Sequence, residues 1–137
     1  MARDSIHIAV RKALEKDNWA ITNDPFYLES GGVQVEIDLA AEKFIIADKG
    51  MSKIIVEIKS LNRRSLLHDF HAALGQYIDY RGILKDEGIE RQLYLAIPET
   101  TFTQMQTKPF YSRRLSENNI SIIIVDILNE IIIQWIK

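Results

Sequence analysis

Two carboxylates and a lysine lie in two neighbouring segments whose residues alternate between apolar and polar types. Asp38 lies near the end of the first segment, and Glu57 and Lys59 lie near the end of the second. Side chains of a strand point to alternate faces, so Glu57 and Lys59 project together while Ile58 points into the core. If the two segments pair, Asp38 comes to lie beside Glu57. The three groups would then supply the parts of a magnesium site for phosphodiester chemistry.

The site expected from these residues holds a divalent cation, Mg²⁺ or Mn²⁺, on hard oxygen ligands. Asp38 and Glu57 supply carboxylate oxygens, and the backbone carbonyl of Ile58 is a candidate third ligand. Lys59 is placed to orient or deprotonate the attacking water, or to neutralise charge that develops on the reacting phosphate. The alternative interpretation is that these residues belong with Glu36 to the solvated face of an amphipathic sheet, because such a spacing also arises by chance.

The elements that must position these residues follow from hydrophobic periodicity. Helices are predicted at 5–16 and 66–86, with a weaker helical stretch at 100–117 that Pro109 interrupts. Strands are predicted at 19–22, 26–29, 33–39, 43–48, 53–59, 91–97, 120–126 and 131–136. This order predicts an α/β fold: a mixed sheet flanked by helices, with an antiparallel meander in the first half and a β-hairpin at the end. The length of 137 residues favours one domain over residues 1–137.

The long second helix is expected to present two different faces. The predicted apolar face consists of Leu67, Phe70, Leu74, Tyr77 and Ile78. Another face consists of Asp69, Ala73, Gln76 and Tyr80. On that face, Gln76 and Tyr80 lie one turn apart and are candidates to reach a phosphate or Lys59. The alternative is that they simply pack the helix beneath the sheet.

Composition limits the class of protein. The formal net charge of -2 does not favour nucleic-acid binding, because phosphate-binding proteins usually have a basic excess or a basic face. A local basic patch remains compatible with this total, and an acidic metal site itself lowers it. Arg63, Arg64 and Arg81 lie near the expected cleft and are the candidates for contacts to the DNA backbone. The alternative for these arginines is ordinary solvated charge.

Other features of the composition concern the cellular compartment. The chain has no cysteine, which excludes disulfides, zinc–thiolate sites and thiol nucleophiles and fits a reducing cytoplasm. The N-terminal residues lack the hydrophobic core of a signal peptide, and the longest apolar runs are too short to span a bilayer. We therefore expect a cytoplasmic protein without a membrane segment.

The pattern as a whole resembles a known nuclease superfamily. Glu57-Ile58-Lys59 ends an apolar strand, follows the Asp38 strand by one hairpin, and precedes a helix with Gln76-x-x-x-Tyr80. This arrangement resembles the PD-(D/E)xK nucleases, and the helix spacing resembles their RecB-like members, over approximately residues 5–98. The resemblance implies a restriction-endonuclease-like αβββαβ core in which Asp, Glu and Lys lie on adjacent strands.

A more specific resemblance extends from end to end of the chain. It rests on Trp19, Asp24-Pro25, Gly31-Gly32-Val33, Ile37-Asp38-Leu39, Val56-Glu57-Ile58-Lys59-Ser60, Asp69-Phe70-His71, Ala73-Leu74-Gly75-Gln76, Tyr80-Arg81, Leu93-Tyr94-Leu95-Ala96 and Gln134-Trp135-Ile136-Lys137. The sequence is similar to the XisH family, described as excision controlling factors of the fdxN element in cyanobacteria. That resemblance implies a cytoplasmic protein with an endonuclease-like fold that acts on DNA during developmental rearrangement. It also implies a small XisI-type companion protein and a separate site-specific recombinase as partners.

One residue departs from the nuclease superfamily pattern. Its members often carry a glutamate on the first helix, about a dozen residues before an aromatic that begins the next strand; counting back from Trp19 leads to His7. Imidazole binds magnesium poorly but manganese or zinc well, so His7 is a candidate metal ligand. It is alternatively a phosphate contact, a proton carrier near neutral pH or a helix-surface residue. Glu15, the substitute carboxylate, lies two turns further along.

The expected function is that of a DNA-acting factor in programmed excision, with a candidate metal-dependent endonuclease site. The missing helix glutamate and the acidic balance leave open a non-catalytic regulatory module that keeps the fold and acts through a protein partner. A structural component of a mobile-element complex is a third interpretation. The apolar final strands are interpreted as an oligomer interface, such as that of a homodimer, because an exposed hydrophobic edge otherwise promotes aggregation.

Overall fold

A computed structural model describes residues 5–61 and 65–137. In chain order the elements are α1 (Ser5–Lys16), β1 (Ala20–Asn23), β2 (Phe26–Ser30), β3 (Val33–Ile37), β4 (Leu39–Ile45), a 3₁₀ turn (Ile46–Asp48), β5 (Gly50–Ile58), α2 (Leu66–Asp86), β6 (Gln92–Pro98), α3 (Glu99–Met105), α4 (Pro109–Glu117), β7 (Ile122–Asp126) and β8 (Ile131–Ile136). Six strands form one sheet in the order β1-β4-β5-β6-β7-β8, and β2 pairs with β3 separately. The predicted α/β class and the final β-hairpin are confirmed.

The sheet is mixed and is covered on both faces. Strands β5, β6 and β7 run parallel, whereas β1, β4 and β8 pair antiparallel with their neighbours. Apolar residues of α2, α3 and α4 pack on one face, and those of α1 pack on the other. Strands β6 and β7 are therefore almost continuously apolar, as expected for parallel strands that are buried on both sides.

The strand predicted at 33–39 is divided at Asp38. Strand β3 ends at Ile37 and pairs with β2 in the small sheet, whereas β4 begins at Leu39 and pairs with β5. The pairing with 53–59 on which the expected site depends is therefore made by the residues from Leu39 onward and not by β3. The alternating pattern runs unbroken through both strands, so it does not show where the chain passes from one sheet to the other. The register of Leu39 opposite Val56 nevertheless brings Asp38 to the end of β5.

The strand predicted at 43–48 is shifted. Its residues up to Ile45 complete β4, and Ile46–Asp48 form the 3₁₀ turn. Lys49 follows with φ of 52°, in the left-handed region that a tight reversal requires. The chain thus reverses at Lys49, and β4 and β5 form a long hairpin.

Helix α2 has the predicted bounds, and its buried face matches the predicted one in part, since Phe70 and Tyr77 are buried as predicted. Its buried residues are Phe70, Ala73, Tyr77, Tyr80 and Leu84. Leu67 and Ile78, which were assigned to the apolar face, are 48% and 39% exposed. The small sheet explains the difference, since its Glu36 carbonyl oxygen lies 3.4 Å from the Tyr80 hydroxyl. The helix packs between this sheet and the large one, so Tyr80 lies inside.

The two ends of the described chain meet on the face that carries α1. The ring centroid of Trp135 on β8 lies 5.6 Å from that of Trp19, next to β1, and 5.0 Å from that of Tyr94 on β6. Aromatic pairs at these separations contribute beyond their buried area. In the described part of the chain, every helix is too short or too polar to cross a lipid bilayer.

Candidate functional site

Asp38 and Glu57 are held together by reciprocal hydrogen bonds. The backbone N–H of Ile58 donates to Asp38 Oδ2 at 2.7 Å, and the backbone N–H of Asp38 donates to Glu57 Oε1 at 3.3 Å. Asp38 lies at the junction of β3 and β4 and is not paired with a residue of a neighbouring strand. The two carboxylates expected from the sequence therefore converge at the end of β5.

Glu57 lies in an apolar environment. It is only 6% exposed and shares the sheet face of Ile55, which α2 covers, so it does not belong to a solvated face. Burial, and after it the charge of Asp38, raise the pKa of Glu57 from 4.5 to about 7, while Lys59 opposes the shift. Two carboxylates in one poorly solvated place disfavour simultaneous ionisation.

Lys59 completes the predicted trio. Its Nζ lies 3.3 Å from Glu57 Oε2, and its side chain is 33% exposed. The backbone N–H of Lys59 donates to the carbonyl oxygen of Ala96 at 3.0 Å, which fixes the end of β5 against β6. The ammonium group thus lies between the buried Glu57 carboxyl group and solvent.

His7 lies on the other side of Asp38. It is 5% exposed; its Nε2 lies 2.9 Å from Asp24 Oδ1, and its Nδ1 lies 3.9 Å from Asp38 Oδ1. Arg11 Nη1 donates to Asp24 Oδ2 at 2.6 Å. His7 is therefore a buried neighbour of the carboxylates rather than a helix-surface residue, and its role as a metal ligand remains a prediction. Glu15, the substitute carboxylate, pairs instead with Arg11 at 3.8 Å.

The sequence interpretation missed Asp24 and Arg11 as members of this site. Arg11 lies four residues after His7, so the two share one face of α1, and that spacing was a usable signal. Asp24 directly precedes Pro25, and this pair of residues by itself indicates only a turn. Its contact with His7 spans 17 positions of the sequence and has no local signature.

Gln76 and Tyr80 lie beside the carboxylates. Gln76 Nε2 donates to the Tyr80 hydroxyl at 2.8 Å, and that hydroxyl donates to the carbonyl oxygen of Glu36. Burial, and after it the charges of Glu57 and Asp38, raise the pKa of Tyr80 to about 12. Gln76 Oε1 is buried, with no hydrogen-bond donor in the described structure. The pair therefore borders the acidic site and also packs α2 against the small sheet.

The donor set suits a magnesium-type ion. Within residues 5–61 and 65–137, no three histidine, aspartate or glutamate side chains form a ready metal-binding group. Mg²⁺, however, commonly takes only one or two protein carboxylates and fills its remaining positions with water and phosphate oxygens. Asp38 and Glu57 supply such a pair. A cation would also relieve the repulsion that raises the pKa of Glu57.

The arginines predicted to contact DNA have separate outcomes. Arg63 and Arg64 lie outside the described residues. Arg81 Nη1 donates to the carbonyl oxygens of Asn118 and Asn119 at 2.8 and 3.1 Å, and so binds the end of α4. Arg81 therefore has a clear structural role, and contact with DNA remains a prediction.

Comparison with known proteins identifies the family. The profile of the XisH protein family matches residues 1–133. The fold is similar to the crystal structure of an fdxN element excision controlling factor protein from Anabaena variabilis, with 40% identity, a TM-score of 0.88 and coverage of 98% of this chain and 100% of that one. It is also similar to the crystal structure of an XisH family protein from Nostoc punctiforme, with 44% identity, a TM-score of 0.87 and the same coverage. No protein with a curated description matches this sequence. Because the family profile spans nearly all of the sequence and two solved relatives share its fold at this level of identity, the chain belongs to the XisH family.

Proposed function

We propose that this chain is a DNA-acting factor that controls excision of an fdxN-type element, and that Asp38, Glu57 and Lys59 form a metal-dependent phosphodiester-cleaving site in it. Family membership and the 40% identical excision controlling factor support the first part. The second part rests on one observation, the hydrogen-bonded pair of Asp38 and buried Glu57 with Lys59 Nζ 3.3 Å from Glu57.

Each residue has a role that its position supports. Asp38 and Glu57 would hold Mg²⁺ or Mn²⁺, with the Ile58 carbonyl as the candidate backbone ligand. When bound, such an ion supplies electrostatic stabilisation of the charged phosphate during displacement. Lys59 Nζ, partly exposed, would orient the attacking water or accept its proton. Gln76 and Tyr80, joined by their 2.8 Å hydrogen bond, would hold the α2 side of the site in place.

The element order supports a relationship to the PD-(D/E)xK nucleases. The chain from α1 to β6 contains a helix, an antiparallel hairpin that carries the acidic residues, a long helix and a parallel strand. This is the αβββαβ order implied by the sequence resemblance, with the small β2–β3 sheet as an addition.

Metal binding tests the first step. We expect Mn²⁺, titrated calorimetrically into the metal-free protein, to bind wild type and to bind Asp38→Ala at least about tenfold more weakly, because half of the carboxylate pair is lost. Asp48→Ala is the matched control, since Asp48 is exposed in the 3₁₀ turn. Equal binding by wild type and Asp38→Ala would exclude the assigned ligands.

Plasmid nicking in Mn²⁺ tests the cleavage step. Lys59→Ala should lower the nicking rate by about two orders of magnitude or more, as expected for loss of a group that transfers a proton or stabilises charge. Lys53→Ala is the control, because Lys53 is an exposed lysine on the same strand. Equal nicking by the Lys59→Ala protein would indicate a contaminating nuclease and contradict the proposal.

A non-catalytic role is the second candidate, and the hydrogen bonds of the carboxylates favour it. Asp38 accepts the Ile58 N–H and Glu57 accepts the Asp38 N–H, so both groups stabilise the β3–β4 junction without any ligand. In that case the chain would regulate excision through an XisI-type companion, the recombinase or a second copy of itself. Wild type that binds a purified XisI-type protein tightly but neither binds Mn²⁺ nor nicks DNA would favour this role.

A further inference from the structure

A basic cleft lies at the N-terminal end of β6, next to Gln92. A cavity of about 210 Å³ is lined by Arg81, Lys85, Arg91 and Gln92, together with apolar residues; these four residues are called the basic cleft. It adjoins a cavity of about 630 Å³, because Arg81 and Gln92 line both. No aspartate or glutamate is among the described residues that line either cavity. An acid-free cleft with three cations is unexpected in a chain whose formal net charge is -2.

Arg91 is the central residue of the basic cleft. Its Nη1 is buried, and no described residue offers it a hydrogen-bond acceptor. The Arg91 guanidinium lies over the ring of Phe26, 5.9 Å from the ring centroid. This contact orients the guanidinium but uses none of its N–H donors. A buried charged donor that lacks an acceptor is costly, so this N–H is suited to a ligand that brings an acceptor with it.

The other two cations are also available to an anion. Within the described ranges, neither Arg81 nor Lys85 nor Arg91 forms an ion pair with a carboxylate. Arg81 is held by the carbonyl oxygens that end α4, so its side chain is fixed in place while its charge stays uncompensated. Asp86, Glu87 and Glu90, on the nearby end of α2 and the connection to β6, are exposed and do not line the cleft.

We propose that the basic cleft binds a phosphate group. Guanidinium groups match the oxygens of phosphate with parallel N–H donors. The Gln92 amide nitrogen already donates to the carbonyl oxygen of Leu93 at 3.1 Å and to Ser121 Oγ at 2.9 Å, so the three cations carry the proposed binding. The phosphate belongs either to a nucleic-acid backbone or to a free phosphate compound, for which the adjoining cavity of about 630 Å³ gives space. This site is distinct from the carboxylate group, and the proposal holds whether or not that group is catalytic.

Binding is measured by calorimetry at low salt, with inorganic phosphate and with a short mixed-sequence DNA duplex as probes. We expect Arg91→Gln to weaken phosphate binding about tenfold or more, because one charge-assisted contact is lost. Arg113→Gln is the matched control, since Arg113 is an exposed α4 arginine that lines neither cavity. Lys85→Gln, at an exposed position, is a second variant should Arg91→Gln fail to fold.

The two sources of phosphate give different results. If the ligand is a nucleic-acid backbone, Arg91→Gln lowers duplex affinity uniformly across sequences and reduces the salt dependence by about one phosphate contact. If it is a free compound, Arg91→Gln weakens phosphate binding and leaves duplex binding unchanged. Wild type that binds neither probe, or equal weakening by the Arg91 and Arg113 variants, would overturn the proposal. Asp38→Asn should leave phosphate binding intact, which separates this outcome from failure of the proposed nuclease site.

Discussion

The carboxyl group of Glu57 is buried between the sheet and α2 and lies next to the carboxylate of Asp38. Its pKa in the folded chain is about 7, against 4.5 for the ordinary side chain, so the folded protein binds more protons between these values. Protonated Glu57 therefore stabilises the fold in full below about pH 4.5, and this contribution is lost as pH rises through 7. The corresponding change in the free energy of unfolding is about 3 kcal/mol.

This pH dependence gives a prediction for the metal-free protein. Between about pH 5 and about pH 8, wild type should lose up to about 3 kcal/mol more stability than Glu57→Gln, whose neutral amide does not ionise. Urea unfolding at both pH values in a chelating buffer measures the difference. Glu29→Gln, which alters an exposed glutamate of β2, serves as the control and should behave like wild type. A Glu57→Gln protein with the wild-type pH profile would contradict the raised pKa.

At the same scale, the acidic site was predictable in part. Alternation along the strands was enough to bring Glu57 and Lys59 to one side, and their distance of 3.3 Å agrees with that. The burial of Glu57 was not predictable from its strand, because the covering α2 comes later in the chain. The contact of Asp24 with His7 was not predictable either, because it depends on the path of the chain between α1 and β2.

Among the elements, α2 is joined to two strand segments through one buried side chain, that of Tyr77. The Tyr77 hydroxyl donates to the carbonyl oxygen of Leu93 at 2.7 Å and accepts from the backbone N–H of Ser121 at 3.2 Å. One side chain thus joins the helix to β6 and to the residue that precedes β7. The bounds of α2 followed from its sequence, whereas its buried face depended on the small β2–β3 sheet, whose position no local pattern reveals.

Tyr77→Phe tests this connection. We expect the free energy of unfolding to fall by about 1–3 kcal/mol, because the Ser121 N–H and the Leu93 carbonyl lose a shared buried partner. Urea unfolding measures the loss. Tyr27→Phe is the matched control, since Tyr27 is 61% exposed and its loss of a hydroxyl should be nearly neutral. Equal stability of the two variants would show that the Tyr77 hydroxyl does not hold the elements together.

For the whole molecule, the sheet ends in two edges, β1 and β8. Strand β8 exposes Ile131 and Ile133 at 48% and 46%, and a hydrophobic edge of this kind invites pairing with another chain. The order of elements and the mixed sheet could be predicted from hydrophobic periodicity. The oligomeric state could not, because the residue pattern of an edge strand is the same whether the strand faces solvent or a second copy of the chain.

We therefore expect wild type to self-associate through β8. Ile133→Lys should raise the dissociation constant of the homodimer about tenfold or more, because it places a charge in an apolar strand edge. Sedimentation velocity over a range of concentrations measures this. Phe44→Lys, at a 57% exposed position of the β4–β5 hairpin, should leave association unchanged. A wild-type protein that sediments as a monomer at every concentration would contradict the expectation.

The contact between Trp19 and Trp135 has a practical consequence. The chain has two tryptophans, and their rings meet with centroids 5.6 Å apart although one comes from each end of the sequence. Indole emission is therefore an intrinsic optical signal of whether the last strand remains docked on the first helix and strand. Loosening of that strand, by a partner or by denaturant, would be visible in this emission without any attached dye.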